Sequence, residues 1–391
     1  MAMLRFLTAG ESHGRGLIGI IEGMPAGIPL SKNDIDIELK RRQTGYGRGA
    51  RMKIESDEVE ILSGVRWGKT LGSPIALFIR NRDWENWEKA MNPDKTFEGL
   101  IPSLTKPRPG HADLAGFLKY HHSDIRNVLE RSSARETAIR VAIGAVAKQF
   151  LSQFNIKIGS FVTGVGSAWK DIETAYLTED ELLELSDKAN SSDVRCPWKE
   201  IETEIINVID IAMKNADTVG GFFIAFGTGV PVGLGSHVHW DRKLDARIAK
   251  GFMSIQAIKS VEIGDGIKLG KHSGSEVMDE IFYERFFYRK TNHMGGIEGG
   301  ISNGMPVIVR ATMKPIPTLR KPLKSVDVFT KQTALATYER SDVCAVPAAS
   351  VIGEAVLAWH IAEAFLEKFG GDSLDEVTAS FHSYKKMIMG R

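Results

Sequence analysis

At 391 residues, with 43% apolar and 25% charged side chains, the chain is long enough to bury a large core and has an ordinary globular composition. Its 50 basic and 49 acidic groups leave a formal charge of +1, so no general field draws nucleic acid and any anionic ligand must be held by local groups. No apolar run reaches the ~20 residues of a membrane span, Arg5 and Glu11 interrupt the segment a signal peptide would need, and two distant cysteines, Cys196 and Cys344, fit a reducing compartment; the expectation is a cytoplasmic protein that uses neither membrane nor nucleic acid.

Leu4 to Thr8 and Leu17 to Ile21 read as short strands around the glycine-rich turn Gly10-Glu11-Ser12-His13-Gly14-Arg15-Gly16. His13 then stands at a loop tip, available for chemistry or simply exposed, and Ser12 lacks the strand-to-helix setting of a nucleophile elbow. Ser31 is a candidate N-cap for a helix with Ile35 and Leu39 on one face. That helix runs into a charged loop, where Lys40, Arg41, Arg42, Arg48, Arg51 and Lys53 come with no acid between Glu38 and Glu55. Guanidinium groups pair bidentately with phosphate and carboxylate, so the loop suits closure over a substrate bearing both; a solvated surface loop has the same composition. In Lys106-Pro107-Arg108-Pro109-Gly110-His111-Ala112-Asp113 the prolines hold the backbone extended and then turn it. This fixes His111 on a rigid loop, a good place for an acid or base. His121 and His122 read as surface residues.

In Glu130-Arg131-Ser132-Ser133-Ala134-Arg135-Glu136-Thr137, Ser133 and Glu136 have capping-box spacing, and an apolar stripe from Ala138 to Leu151 follows at helical period. A buried helix should therefore start at Ser133, its N-terminus flanked by Arg131 and Arg135 as a phosphate seat, although an ordinary capped helix looks the same. The acidic middle, 151–209, reads as peripheral and helical, with a helix from Ile201 to Lys214. His237 and His239 have the spacing of one strand face, but no third ligand joins them, so no metal is expected. Asn292 to Gly304 is glycine-rich ahead of a strand, as where backbone approaches a flat or phosphorylated ligand.

Three patterns recur in the same order. Gly23-Met24-Pro25-Ala26-Gly27-Ile28 resembles Gly229-Val230-Pro231-Val232-Gly233-Leu234, and Gly64, Gly68, Gly72 and Pro74 have the spacing of Gly296, Gly300, Gly304 and Pro306. Each prolyl-ended set precedes a strand-like run, Ile75 to Ile79 and Val307 to Val309. Lys106-Pro107-Arg108-Pro109 ahead of Arg131 is echoed by Lys314-Pro315-Ile316-Pro317 ahead of Arg340, which again precedes a helix-like run, Val351 to Phe369. These repeats imply one large domain of two related halves, roughly 1–150 and 210–391, with Arg131 and Arg340 facing a common cavity.

Taken together, Gly10 to Gly14, Arg108 to Asp113, Arg131 to Thr137, Asn292 to Gly304 and Arg340 to Ala349 resemble the signature segments of the chorismate synthase family, in order along nearly the whole chain. The resemblance implies an α+β fold, a β-α-β sandwich, in a homotetramer. It implies conversion of 5-enolpyruvylshikimate 3-phosphate to chorismate and phosphate, the last common step toward the aromatic amino acids. Reduced FMN is implied without net redox change, an electron passing transiently to the substrate so that phosphate leaves. Carried over by position, His13 protonates the leaving phosphate, His111 acts at the reduced flavin and Asp342 assists proton removal. Arg131, Ser132, Ser133, Gln256, Ala257, Gly300, Lys314, Pro315, Ile316, Pro317, Thr318 and Arg340 bind FMN. Arg42 and Arg48 match positions associated with NADPH and suit the anionic substrate equally, with Arg108, Arg135 and Ser132 as further substrate contacts. Some family members reduce their own flavin with NADPH; this chain has no obvious extra segment for that, so an external flavin reductase is expected.

Overall fold

The computed structural model describes residues 4–48, 56–338 and 341–389; Arg340, and Arg51 and Lys53 of the basic loop, lie outside the described residues. In the first half, β1 (Arg5–Ala9) pairs antiparallel with β2 (Gly16–Glu22), whose Leu17 and Ile21 are buried while Ile18 and Ile20 face outward. Next comes α1 (Lys32–Gln43), started by a reciprocal capping box between Ser31 and Asp34. After β3 (Val59–Ser63), the hairpin β4 (Val65–Arg66) and β5 (Lys69–Thr70) leads to β6 (Ile75–Arg80), closing a sheet of order β1-β2-β6-β3. Four helices follow: α2 (Trp84–Met91), α3 (Asp113–Tyr120), α4 (Arg126–Ser132) and α5 (Thr137–Ser152).

The expected helix start at Ser133 is displaced to Thr137. Because residues 126–132 are already helical, the chain has to turn at Ser133, which is extended and caps only a single 3-10 turn over Ala134–Glu136. Glu136 does not close a capping box; its carboxylate accepts from Thr8 Oγ1 at 2.9 Å and Gln256 Nε2 at 3.4 Å, joining β1 to a loop of the other half.

The second half opens with β7 (Lys157–Val165) and β8 (Ala168–Trp169), then α6 (Glu179–Asn190), α7 (Lys199–Lys214), β9 (Gly221–Thr228), α8 (Leu244–Met253) and β10 (Ile258–Ile263). It continues through α9 (Gly274–Val277), a hairpin of β11 (Ile281–Tyr283) and β12 (Phe287–Arg289), a second of β13 (Ile297–Glu298) and β14 (Ile301–Ser302), then β15 (Val307–Met313), α10 (Val346–Phe369) and α11 (Leu374–Met389). The sheet order is β10-β15-β9-β7-β8. The middle section is therefore not wholly peripheral and helical: α6 covers the outer face of this sheet, with Leu182 and Ala189 against Phe161, Ile224 and Phe226, while β7 is one of its inner strands. His237 and His239 lie in an exposed loop rather than on a strand, and no group of metal-ligating side chains occurs among the described residues.

Helices α5 and α10 pack against each other between the sheets, α5 on β2 and β6, α10 on β7 and β9, which is the β-α-β sandwich the resemblance implied. A Cβ at Gly144 would overlap Ala355, so the two helix backbones touch there and any larger side chain would push them apart. By length and composition α10 could cross a membrane; here it is the buried core helix.

The repeated sequence patterns build the same object twice. In each half a hairpin folds under the sheet, and its hydroxyl residue clamps the glycine–proline loop. Thr70 Oγ1 donates to the Pro25 carbonyl at 2.6 Å and accepts from Ile28 N–H at 2.9 Å; Ser302 Oγ donates to Pro231 at 2.6 Å and accepts from Leu234 N–H at 2.8 Å. Gly64 and Gly296, at φ +81° and +78°, both bring the chain so close to the prolyl carbonyls of Pro74 and Pro306 that no side chain fits.

Candidate active site

The first turns of α5 and α10 open onto one cavity of about 390 Å³, so two helix N-termini with positive dipole ends share a wall of it. The cavity is lined by His13, Arg42, Arg48, Arg108, His111, Ser132, Ser133, Arg135, Gln256, Ala257, Lys314, Ile316, Pro317, Thr318 and Asp342. Side chains predicted from segments far apart in the chain thus converge.

His13 is buried at 8% exposure on the loop between β1 and β2. Its Nδ1 lies 2.8 Å from Glu130 Oε1, its backbone N–H donates to Glu130 Oε2 at 2.7 Å, and its ring stacks on Trp87 at 3.7 Å between centroids. His111 is held from behind in the same way: its Nδ1 is 2.5 Å from Asp113 Oδ1. Burial alone would raise the Asp113 carboxyl, but hydrogen bonds from His111 and Arg108 outweigh it and hold it well below the usual carboxylate range. Arg108 gives Nε and Nη2 to Asp113 and Nη1 to Thr318 Oγ1 at 2.9 Å. Its guanidinium thereby braces the His111 loop against the 314–318 segment while it also lines the cavity. Lys314 ties the same two segments, donating to the Gly110 carbonyl at 2.9 Å.

Deeper in, Asp57 lies 2.6 Å from Arg135 Nη1 and 3.6 Å from Arg42 Nη1, and Arg48 pairs with Asp342 at 3.1 Å. Burial pushes the Arg42 guanidinium down to about 10; Asp57 opposes this, and the neighbouring cations Arg48 and Arg135 add to it. Among the described residues three guanidiniums and two carboxylates meet in this buried place, a setting that suits a multiply charged anion.

Three comparisons with known proteins agree with this geometry. The family model described as chorismate synthase matches residues 4–366. The chain belongs to the chorismate synthase family. Chorismate synthase of Aquifex aeolicus is 55% identical over 388 residues, covering 97% of each chain, and that of Geotalea uraniireducens is 56% identical over 391 residues, covering 98% of each. A solved structure titled as a crystal structure of chorismate synthase superposes with a TM-score of 0.81 at 46% identity over all of both chains. As a member of the chorismate synthase family this chain is a carbon–oxygen lyase of the shikimate route to aromatic amino acids.

Not every residue expected from the family signatures is at the cavity. Arg131, at the end of α4, turns away and donates to the carbonyls of Gly10 at 3.2 Å and Thr8 at 3.0 Å, so of the two arginines expected beside Ser133 only Arg135 lines the cavity; α4 aims the Arg131 side chain at β1 instead. Gly300 sits in the β13–β14 hairpin, its carbonyl accepting from Leu244 N–H at 2.9 Å, and Pro315 is passed over between two lining residues. Glu130, Asp113, Asp57 and Trp87 support the site from behind and were not picked out. Asp113 alone carried a signal, lying two residues beyond His111 on the same rigid loop.

Proposed function

We propose that this cavity takes 5-enolpyruvylshikimate 3-phosphate together with reduced FMN and releases chorismate and phosphate. The observation that carries the reading is the convergence of His13, His111, Asp342 and the Arg42–Arg48–Arg135 cluster on one cavity. The lining suits a flavin. Leu129, Ile255, Met313 and Ile352 offer apolar surface for a flat ring, and the buried Gln256 Oε1 has no hydrogen-bond partner among the described residues, which suits it to accept from a ring N–H. Ser132, Ser133, Gln256, Ala257 and Lys314 to Thr318 would hold it; Arg340, expected in the same role, lies outside the described residues. Gly300 joins this set only if the homotetramer brings it from a neighbouring copy, and Arg131 is left out of it. Reduced flavin, when bound, supplies the transient electron that lets phosphate leave without net redox change.

The chain's own groups do the rest. Arg42, Arg48 and Arg135 hold the phosphate and carboxylates of the substrate. As the ring C–O bond to phosphate breaks, His13 Nε2 gives its proton to the departing oxygen. Asp342, which lines the cavity and pairs with Arg48, takes up the ring proton lost as the second double bond forms. His111, anchored through Asp113, keeps its imidazole against the cavity wall beside the flavin. Because Arg42 and Arg48 are buried among these anions' anchors, we assign them to substrate rather than to NADPH, and flavin reduced by an outside reductase completes the cycle. Cys196 and Cys344 are both free and buried, in keeping with a cytoplasmic setting.

An anaerobic assay with photoreduced FMN and 5-enolpyruvylshikimate 3-phosphate should give chorismate absorbance and one phosphate per turnover; no chorismate under these conditions would sink the reading. Arg48→Ala should raise the KM of the substrate at least tenfold while changing flavin affinity less than about threefold, the loss of one charged pairing being worth ~1.5–3 kcal/mol. Equal losses for both ligands would put Arg48 at the flavin instead.

A further inference from the structure

We infer that Glu130 is the positioning residue for His13, fixing which nitrogen faces the leaving phosphate; this rests on the reading of His13 as the proton donor. Glu130 is 2% exposed, and its two oxygens meet two donors of one residue, Oε1 the ring Nδ1 at 2.8 Å and Oε2 the backbone N–H at 2.7 Å. Its own carbonyl accepts from Ser12 N–H at 3.0 Å, so side chain and backbone together grip the whole Ser12-His13 turn. Trp87 covers one ring face, its plane 19° from the imidazole. The carboxylate therefore fixes the turn and the ring edge while the indole fixes the ring face.

Local structure does not ask for an acid here. Glu130 lies in the last turns of α4 (Arg126–Ser132), where the helix dipole disfavours negative charge, and it is buried, which disfavours charge again. A cost taken twice points to a role in the site. That role follows from counting protons. A protonated imidazole has two N–H groups; Glu130 accepts the one on Nδ1, so in the proposed complex the proton that passes to the phosphate oxygen is the one on Nε2. After the transfer the ring is neutral with its proton on Nδ1, still held by Glu130, and Nε2 is an acceptor ready for the next proton.

Glu130→Gln tests this, because an amide has one acceptor oxygen for two donors. Either the backbone N–H or Nδ1 then faces an NH₂ group, and a neutral ring carrying its proton on Nε2 becomes the favoured tautomer, a poor acid. We expect kcat to fall roughly 30- to 100-fold with substrate KM within twofold, and Glu130→Asp, which keeps both oxygens, to recover part of the loss. In enzyme labelled with ¹⁵N-histidine, the His13 Nδ1–H resonance, assigned by its loss in His13→Asn, should be present in wild type and Glu130→Asp and absent in Glu130→Gln. Wild-type kcat with an unchanged Nδ1–H signal in Glu130→Gln would overturn the inference, as would KM rising in step with the fall in kcat. A wild-type enzyme that makes no chorismate yet shows the Glu130-dependent signal would overturn the proposed reaction and leave the clasp standing.

Discussion

His13→Asn should lower kcat by about 10²–10⁴-fold while the substrate still binds close to normally. Phosphate is a poor leaving group until its bridging oxygen is protonated or its charge neutralised, and His13 is the imidazole that the β1–β2 turn holds in the cavity against Glu130. The asparagine amide can still donate to Glu130 Oε1, so the buried carboxylate keeps a partner and the turn keeps its shape. Arg42, Arg48 and Arg135, which carry most of the anion binding in the proposed complex, approach from α1, the loop after it and the turn before α5, whereas His13 is held by Glu130 on the β1–β2 turn. Anaerobic single turnover with photoreduced FMN separates the two effects, the amplitude reporting bound substrate and the rate reporting the chemical step. A variant within about fivefold of wild type in rate would remove His13 from the reaction. His111→Asn gives the contrast: its partners Asp113 and Arg108 belong to the loop that contacts the 314–318 segment, so flavin binding as well as rate should suffer there.

How far such roles can be read from sequence alone depends on what kind of contact makes them. The strands of the first sheet are open to water on their outer face, and Leu17 and Ile21 alternate with Ile18 and Ile20, so their period is visible. β7 has α10 on one face and α6 on the other and is buried from Gly159 through Val165, which erases the alternation and hides a strand inside what reads as a helical section. The repeated glycine–proline turns are legible because they rest on backbone geometry. Glycines at positive φ and a proline at the strand entrance are demands that few residues meet, so two halves with otherwise different side chains still show them. The capping box at Ser133 failed for the opposite reason: Glu136 has the right spacing locally, and a distant pair, Thr8 and Gln256, outbids the helix end for its carboxylate. Asp57 and Glu130 could not be found at all. Nothing in their neighbourhoods of sequence says that Asp57 will meet Arg135 or that Glu130 will meet His13, because both meetings are made by the fold.

The largest effect on stability should come from a residue with no part in the chemistry. Glu354 is fully buried in the middle of α10, where Arg41 donates through both Nη atoms at 2.8 Å, Arg195 Nη2 at 3.0 Å, Ser160 Oγ at 2.6 Å, and Lys148 also pairs with it. These partners come from α1, β7, the loop after α6 and α5, so one carboxylate joins both halves across the seam where α5 and α10 meet. Glu354→Ala leaves Arg41 and Lys148 with Glu38 as their remaining shared acid and takes from Arg195 the carboxylate it pairs with, and breaking a buried pair of this kind costs ~3–5 kcal/mol. A fall in Tm of several degrees should follow, with flavin and substrate affinities unchanged in whatever fraction stays folded. Glu354→Gln exposes the electrostatic part through pH. Burial alone would raise the Glu354 carboxyl, but Arg41, Lys148 and Arg195 outweigh it and hold it far below its ordinary value of 4.5. A carboxyl depressed in the folded state contributes stability that is complete above its unfolded value and drains away as pH falls below it. The gap in urea-unfolding free energy between wild type and Glu354→Gln should therefore be widest at pH 7 and narrower at pH 4, since the glutamine cannot titrate. A gap that stayed constant over that range would mean the network is held by its hydrogen bonds and packing, with the charges contributing nothing net.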